Sequence, residues 1–206
     1  MEELQAPLPP APSERTRVRR LPRRGAYDRA TIDAILDEAL ICHLAFSVEG
    51  QPYAIPTAFA RIGDHVYVHG SAASRMLRAA GGAPVCFTAT LLDGLVLARS
   101  AFHHSMNYRS VVVLGGAEEV SDEEERLAAM RALVERVAPG RWAEIRPPNA
   151  QELKATTILR LAIAESSAKI RTGPPIDDDE DLALPCWAGV IPLALAAGAP
   201  IADVSP

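Results

Sequence analysis

The sequence lacks any apolar run of the length that crosses a membrane as a helix, and its first residues contain no hydrophobic signal core. We therefore expect a cytoplasmic protein without a membrane partner. Cysteine is scarce as well: Cys42, Cys86 and Cys186 are odd in number and share no CxxC spacing, which disfavours a disulfide framework or a zinc site. Two of the three lie in apolar, strand-like runs, so we expect buried free thiols.

The sequence also lacks the GxGxxG, P-loop, HExxH and GxSxG motifs. Their absence removes the commonest dinucleotide-binding, phosphotransfer, zinc-protease and serine-hydrolase interpretations. A metal site is not expected, because the adjacent His103 and His104 would point to opposite sides of a strand. The net charge of -5 argues against nucleic acid as the main partner.

What the chain does contain is enough apolar sequence for one packed domain. Its 206 residues are 49% hydrophobic, as is typical of a globular protein. We predict one domain over residues 25–195, preceded by a disordered arm over residues 1–24 and followed by a tail over residues 196–206. The arm is rich in proline and alanine and then basic, and its arginines are Arg15, Arg17, Arg19, Arg20, Arg23 and Arg24.

Two charged segments have open interpretations. The arginines of the arm either contact nucleic acid or an acidic cofactor, or are solvated or lie against another subunit, and the second interpretation is favoured. The acidic run DDDED at residues 177–181 is expected to be a solvated loop, although it could bind the basic arm of a neighbouring chain. The apolar segment 182–193 is expected to pack as an irregular lid or edge.

A single stretch, residues 54–78, contains the most informative local pattern. Alternating apolar side chains predict two half-buried strands around a Gly-Asp turn, followed by a strand break and a short helix capped by Ser71 or Ser74. Arg75 falls in the first turn of that helix, where the positive end of the helix dipole disfavours a cation. Either a bound anion offsets this charge, or the helix is a capped surface helix with an exposed arginine.

The remaining patterns predict further strands and helices. In chain order they are a helix capped by Asp28, a strand at 42–48, a hairpin at 84–99 turning at Asp93 and Gly94, a strand at 108–114, a helix with a Ser121 and Glu124 capping box, a short helix at 151–155, and a bulged strand at 157–170. The six or seven strands, mostly in sequential hairpins, predict a mainly β (α+β) fold: an antiparallel barrel with peripheral helices.

Taken together, these segments resemble the pyridoxamine 5'-phosphate oxidase-related, FMN-binding split-barrel proteins. The pieces that carry the resemblance are RGAYDRATIDAILDEA (24–39), IPT (55–57), VHGSAASRML (68–77), SAFHHSMNYRSVVVLG (100–115), SAKIRTGPP (167–175) and LPCWAGVIPL (184–193). They span about residues 15–195 and are most similar to the flavin-nucleotide-binding branch that includes the nitroimidazole-resistance reductases. The resemblance implies a six-stranded antiparallel split β-barrel with peripheral helices, forming a homodimer with two FMN sites at the subunit interface.

The resemblance also implies which residues bind the cofactor. Those that would edge the isoalloxazine ring are Ile55, Pro56 and Thr57, and those below the ribityl chain are His69, Gly70 and Ser71. Ser74 and Arg75 would hold the phosphate. The candidates across the cleft are Ser105 and Tyr108, from a strand, and Trp187, which would cover the ring. No catalytic residue or metal ligand is implied.

Two departures from the oxidase itself bear on activity. WAGVIPL stands where the oxidase has a C-terminal arginine/histidine motif for its substrate phosphate, and Ala58 stands near a flavin-contacting lysine of the oxidases. Oxidation of pyridoxamine 5'-phosphate is therefore not expected. The resemblance favours a flavin-dependent oxidoreductase, in which NAD(P)H or another donor reduces FMN and a small electron-accepting molecule reoxidises it. The alternatives are a non-catalytic flavin-binding or storage module and a relative that binds haem or a deazaflavin.

Overall fold

The computed structural model describes residues 9–203, which form ten strands and four α-helices. In chain order these are β1 (Gly25–Ala26), α1 (Arg29–Glu38), β2 (Ile41–Val48), β3 (Gln51–Ile62), β4 (His65–Ser71), α2 (Arg75–Ala80), β5 (Pro84–Leu97), β6 (Ser105–Gly116), β7 (Glu118–Glu119), α3 (Glu123–Val137), α4 (Ala150–Ala155), β8 (Thr156–Ala162), β9 (Ser166–Arg171) and β10 (Gly189–Pro192). Short 3₁₀ helices occupy Pro22–Arg24, Arg141–Glu144 and Asp179–Asp181.

The described chain divides into two compact units. The first comprises residues 9–91 and 109–170, and the second comprises residues 92–108 and 171–203. β5 runs from the first unit into the second, and β6 runs back. The predicted domain limits at residues 25 and 195 remain a prediction, and residues 1–8 of the predicted arm lie outside the described residues.

The strands follow one another in the order β1-β9-β6-β5-β2-β3-β4-β8-β7, and β10 pairs with β5. β2 and β3 form a hairpin whose turn residues, Glu49 and Gly50, have φ angles of 51° and 81°. Two positive φ angles are what a type I′ hairpin turn requires. The predicted antiparallel, mainly β class with a few helices is thus confirmed, but over residues 9–203 the sheet contains ten strands in place of the six or seven predicted from the sequence patterns.

The core of the first unit is built by the inner sides of these strands together with α1 and α2. The Asp28 carboxylate accepts a hydrogen bond from Thr31 N at 2.8 Å, so α1 begins where the sequence predicts. Within the core, the rings of Phe59 and Phe87 meet edge to face, with centroids 4.9 Å apart. This arrangement adds a directional contact to the burial of two large apolar side chains.

A second, smaller core lies between β4 and α3, so β4 is buried on both faces. Val66, Tyr67 and Val68 are all buried, and the prediction of a half-buried second strand is wrong. The Tyr67 hydroxyl donates to Glu125 Oε1 on α3 at 2.9 Å. α3 itself is capped by the carboxylate of Asp122, one residue later than the predicted serine cap.

The predicted hairpin at 84–99 is wrong, because β5 is one continuous strand. Asp93 and Gly94 lie within it, and Gly94 is paired with Pro192 of β10. A Cβ atom on Gly94 would lie 3.0 Å from Cγ1 of Val190 and 3.1 Å from the Ile191 carbonyl oxygen. Glycine at this position therefore allows β10 to approach β5 closely, and it does not form a turn.

The predicted long strand at 157–170 is also wrong. β8 ends at Ala162 and β9 begins at Ser166, with a turn between them. Backbone bonds fix this turn: Ile163 N donates to Asp64 O, and Leu114 N donates to Glu165 O, both at 2.9 Å. The pattern mistaken for a bulge is thus the end of one strand and the start of the next.

The three cysteines are free thiols, as predicted. Cys42 is buried, and burial raises the pKa of its thiol to about 12, so it remains protonated at neutral pH. Cys86 is half-buried, whereas Cys186 is exposed, so the prediction of burial does not hold for Cys186.

Candidate functional site

The candidate site begins where β4 leads into α2. β4 extends through Gly70 to Ser71, past the predicted strand break, because Ser71 still pairs with Thr156 of β8. Ser74 N then donates to Ser71 O at 2.8 Å, which turns the chain into α2. A Cβ atom on Gly70 would lie 3.2 Å from Cδ1 of Leu77, so glycine lets the strand and helix pack closely here.

The first turn of α2 is not capped by a serine side chain. Ser74 occupies the N-cap position, but its hydroxyl makes no capping hydrogen bond to any described residue. The Ser71 hydroxyl accepts from Ala73 N at 3.2 Å, before the helix begins. Ser74 is thus the N-cap residue, as one of the two predicted alternatives, but neither serine side chain makes the expected capping bond. The first amides of a helix have no intrahelical acceptor, so those of α2 remain able to donate to an external anion.

Arg75 extends from this first turn onto an aromatic ring. Its guanidinium carbon lies 4.5 Å from the centroid of the Tyr53 ring, and Tyr53 in turn stacks on Phe46 with centroids 5.5 Å apart. Arg75 is exposed and forms no ion pair with any residue from 9 to 203. Stacking uses the face of the guanidinium, so its N–H groups remain able to donate to an anion. The sequence prediction did not include Tyr53, although it shares the alternating face of β3 with Ile55.

His69 lies on β4 just before this turn. Its side chain is half-buried, and its Nδ1 atom is buried without a hydrogen-bond partner among the described residues. Burial lowers the pKa of the imidazole below its usual value, because the charged form is penalised when it is removed from water. A neutral imidazole with an unpaired buried nitrogen is expected next to a bound group or ordered water.

Ile55, Pro56 and Thr57 lie on β3, opposite Leu44, His43 and Cys42 of β2. Ile55 and Thr57 are half-buried on one face of the strand, whereas Pro56 is exposed on the other. A ligand against one face of β3 can therefore contact the side chains of Ile55 and Thr57, but would meet only the backbone of Pro56.

The remaining three predicted site residues belong to the second unit. Ser105 and Tyr108 lie on β6 and are half-buried, and Trp187 precedes β10 with 63% of its surface exposed. The indole lies over Gly189, where an added Cβ atom would come within 2.8 Å of Cζ2 of Trp187. The glycine thus leaves room for the ring.

The acidic run in the second unit is not simply solvated. The Asp177 carboxylate is 2% exposed and accepts from Arg99 N and Arg99 Nη1, both at 2.7 Å. The bond from the backbone amide of Arg99, followed by that from its guanidinium, lowers the pKa of Asp177. Next to this pair, His103 Nε2 is hydrogen-bonded to Asp178 Oδ2 at 3.1 Å. His104 Nδ1 is hydrogen-bonded to the Ser100 carbonyl oxygen at 2.9 Å.

Two further features are absent from the described part of the chain. Residues 9–203 contain no group of three or more His, Cys, Asp or Glu side chains that could hold a metal ion. Over the same residues, none of the helices is both long and apolar enough to span a bilayer.

Comparison with known proteins identifies close relatives among solved structures. A flavocytochrome from Azotobacter vinelandii is 46% identical, with a TM-score of 0.90 over 95% of this chain and 92% of that chain. An FAD- and haem-binding protein from Mycobacterium smegmatis is 41% identical, with a TM-score of 0.84 over 88% of this chain and 89% of that chain. A 5-nitroimidazole antibiotic resistance protein homologue from Bacteroides thetaiotaomicron shares the fold, at 21% identity and a TM-score of 0.58 over 71% of this chain and 86% of that chain.

The search of curated proteins found no match. The family profile described as pyridoxamine 5'-phosphate oxidase matches residues 28–170, more than half of the chain. That range runs from the cap of α1 to β9. It contains the turn from β4 into α2 together with Tyr53 of β3, which we call the β3–β4–α2 corner. The chain therefore belongs to the pyridoxamine 5'-phosphate oxidase-like family.

Proposed function

We propose that this protein is a small flavocytochrome-like oxidoreductase that binds a flavin nucleotide and haem. The observation that carries the proposal is the 46% identity to a flavocytochrome over 95% of the chain. The second relative, named for both FAD and haem, supports the same pair of cofactors. Flavin and haem together supply reversible electron transfer, which the protein directs by position and electrostatics.

The β3–β4–α2 corner fits the phosphate end of a flavin nucleotide. Arg75 provides a cation with no carboxylate partner in residues 9–203, and Ser74 provides a hydroxyl that makes no capping bond there. The uncapped amides of α2 add donors at the positive end of the helix dipole. An anionic ligand would resolve this concentration of positive charge. FMN and FAD both present a phosphate to such a corner, and FMN remains our prediction.

His69 fits contact with one of the two prosthetic groups. Its imidazole is held neutral by burial, and neutral imidazole is the form that ligates iron. The buried, unpaired Nδ1 shows that the described residues alone do not satisfy this side chain. We propose that His69 lies against the flavin or the haem and fixes the position of that group.

Homodimerisation is part of the proposal. The second unit exposes several large apolar side chains: Phe102, Leu182, Leu184, Trp187, Ile191 and Leu193. Such a set on one small unit is typical of a surface that a partner or ligand covers. A second copy of the chain is the partner expected from the family resemblance, and a small electron acceptor with NAD(P)H or another donor would complete the reaction.

The absorption spectrum of the purified protein tests the proposal directly. We expect flavin bands together with a Soret band, and mass spectrometry of the acid-released flavin then distinguishes FMN from FAD. Protein that shows neither set of bands, and takes up neither cofactor when reconstituted, would contradict the proposal. Flavin without haem, and without NAD(P)H oxidation, would instead favour a non-catalytic flavin-binding module.

A further inference from the structure

The N-terminal arm borders a basic cleft that the proposed function does not use. The cleft, of about 280 Å³, lies between the arm and the strands β6 and β9. Its lining includes the cations Arg15, Arg17, Arg20 and Lys169. We refer to it below as the arm cleft.

The arm cleft has more positive charge than the surrounding carboxylates offset. Arg15 Nε donates to Glu165 Oε1 at 2.6 Å, and Glu14 accepts from Arg17 at 2.6 Å. The first pair holds the arm against the turn between β8 and β9, the second lies within the arm, and together they offset part of the charge. Two lining cations, Arg20 and Lys169, form no ion pair with any residue from 9 to 203.

The other walls suit an organic phosphate better than a bare ion. Ser167 lines the cleft and is only 8% exposed, while the Ser110 hydroxyl donates to the Lys169 carbonyl oxygen at 3.3 Å. Val18 and Val112 provide apolar surface beside the cations. The volume of the arm cleft, about 280 Å³, lies just below the range of about 300–1,000 Å³ typical of pockets for drug-sized ligands. A ligand of mononucleotide size fits this combination of charge, hydroxyl groups and apolar wall.

We infer that the arm cleft binds the phosphate group of a nucleotide-sized ligand, separately from the β3–β4–α2 corner. In the sheet order, β5 and β2 separate β6 from β3, so the two sites lie on different parts of the sheet. Arg20 and Lys169 hold the phosphate, because they are the lining cations that form no ion pair within residues 9–203. A guanidinium or ammonium bonded to phosphate forms a short, charge-assisted hydrogen bond.

Calorimetric titration of the purified full-length protein, with its prosthetic groups retained, tests this inference with adenosine 5'-monophosphate as the probe. We expect binding that weakens with salt, and about 10- to 150-fold weaker binding in Arg20→Gln and in Lys169→Gln, the effect of losing one charge-assisted bond. Adenosine, which lacks the phosphate, should bind all variants equally weakly. Arg23→Gln is the matched control, since Arg23 is an exposed arginine of the same arm that does not line the cleft.

Three results would overturn the inference. The first is no binding of adenosine 5'-monophosphate to the wild-type protein. The second is a loss of affinity for adenosine 5'-monophosphate in Arg23→Gln as large as in Arg20→Gln, which would mean that the arm attracts anions without a defined site. The third is displacement of bound flavin by the probe, which would assign the probe to the flavin site. Thermal unfolding of each variant is the check that the substitution leaves the fold intact.

Discussion

Substitution of Arg75 by alanine tests the proposed phosphate corner most directly. The guanidinium contacts the Tyr53 ring at 4.5 Å and forms no ion pair with any residue from 9 to 203. Its loss should cost the fold only about 0.5–1 kcal/mol, the contribution of an exposed cation–π contact. A hydrogen bond to a charged phosphate contributes about 1.5–3 kcal/mol. Arg75→Ala should therefore weaken FMN binding about 10- to 150-fold.

Two companion variants separate the charge of Arg75 from its placement. Tyr53→Leu removes the stacking but keeps the guanidinium, and we expect FMN binding to weaken only about 2- to 5-fold, the equivalent of the exposed cation–π contact. Arg78→Ala is the matched control: Arg78 is exposed on the same helix, and its Nη2 donates to the Ala73 carbonyl oxygen at 3.0 Å. That variant should bind FMN as the wild type does.

The assay is a pair of titrations of the apo-protein, one with FMN and one with riboflavin. Binding is measured in both as the quenching of flavin fluorescence. Riboflavin lacks the phosphate, so wild type and Arg75→Ala should bind it equally. Equal losses for both ligands, or no loss for either, would refute the reasoning that a cation at the start of α2 holds the flavin phosphate. A loss of FMN affinity in Arg78→Ala as large as in Arg75→Ala would show that FMN binding depends only on the net charge of the helix.

The strands near the site could be predicted from the sequence because their determinants are local. In β2 and β3 the apolar side chains alternate, and the turn at Glu49 and Gly50 adopts two positive φ angles that fix the hairpin. Asp28 caps α1 in the same local way. Arg75 was identified by a local conflict too, since its charge opposes the helix dipole whatever the tertiary structure.

Features that depend on distant segments could not be predicted. Asp93 and Gly94 have the composition of a hairpin turn, and only the arrival of β10 shows that the glycine makes room for a neighbouring strand. The burial of Tyr67 on the outer face of β4 requires α3, about sixty residues further along the chain. The aromatic support of Arg75 by Tyr53 likewise depends on how α2 packs against the sheet. Periodicity describes one strand at a time and contains no information about these partners.

Three further perturbations test the packing and the arm. Gly94→Ala should destabilise the protein by about 1–3 kcal/mol, because the new methyl group overpacks against Val190; chemical denaturation measures this, and an unchanged midpoint would contradict the β5–β10 contact. If Trp187 covers the flavin, flavin binding should quench tryptophan emission, and Trp187→Phe should remove most of that quenching, whereas unchanged quenching would place Trp187 elsewhere. Glu165→Gln should release the N-terminal arm, because the Glu165 carboxylate accepts a hydrogen bond from Arg15. That contact lowers the pKa of Glu165 to about 2. Limited trypsin digestion at neutral pH should then cleave the variant faster after the arginines of the arm than it cleaves the wild type. A carboxyl with a depressed pKa stabilises the folded state fully above its unfolded value of about 4.3 and loses that contribution as the pH falls towards the folded value. The difference in unfolding temperature between wild type and variant should therefore be constant above that pH and shrink below it. Equal digestion rates and a difference that does not depend on pH would mean that other contacts hold the arm.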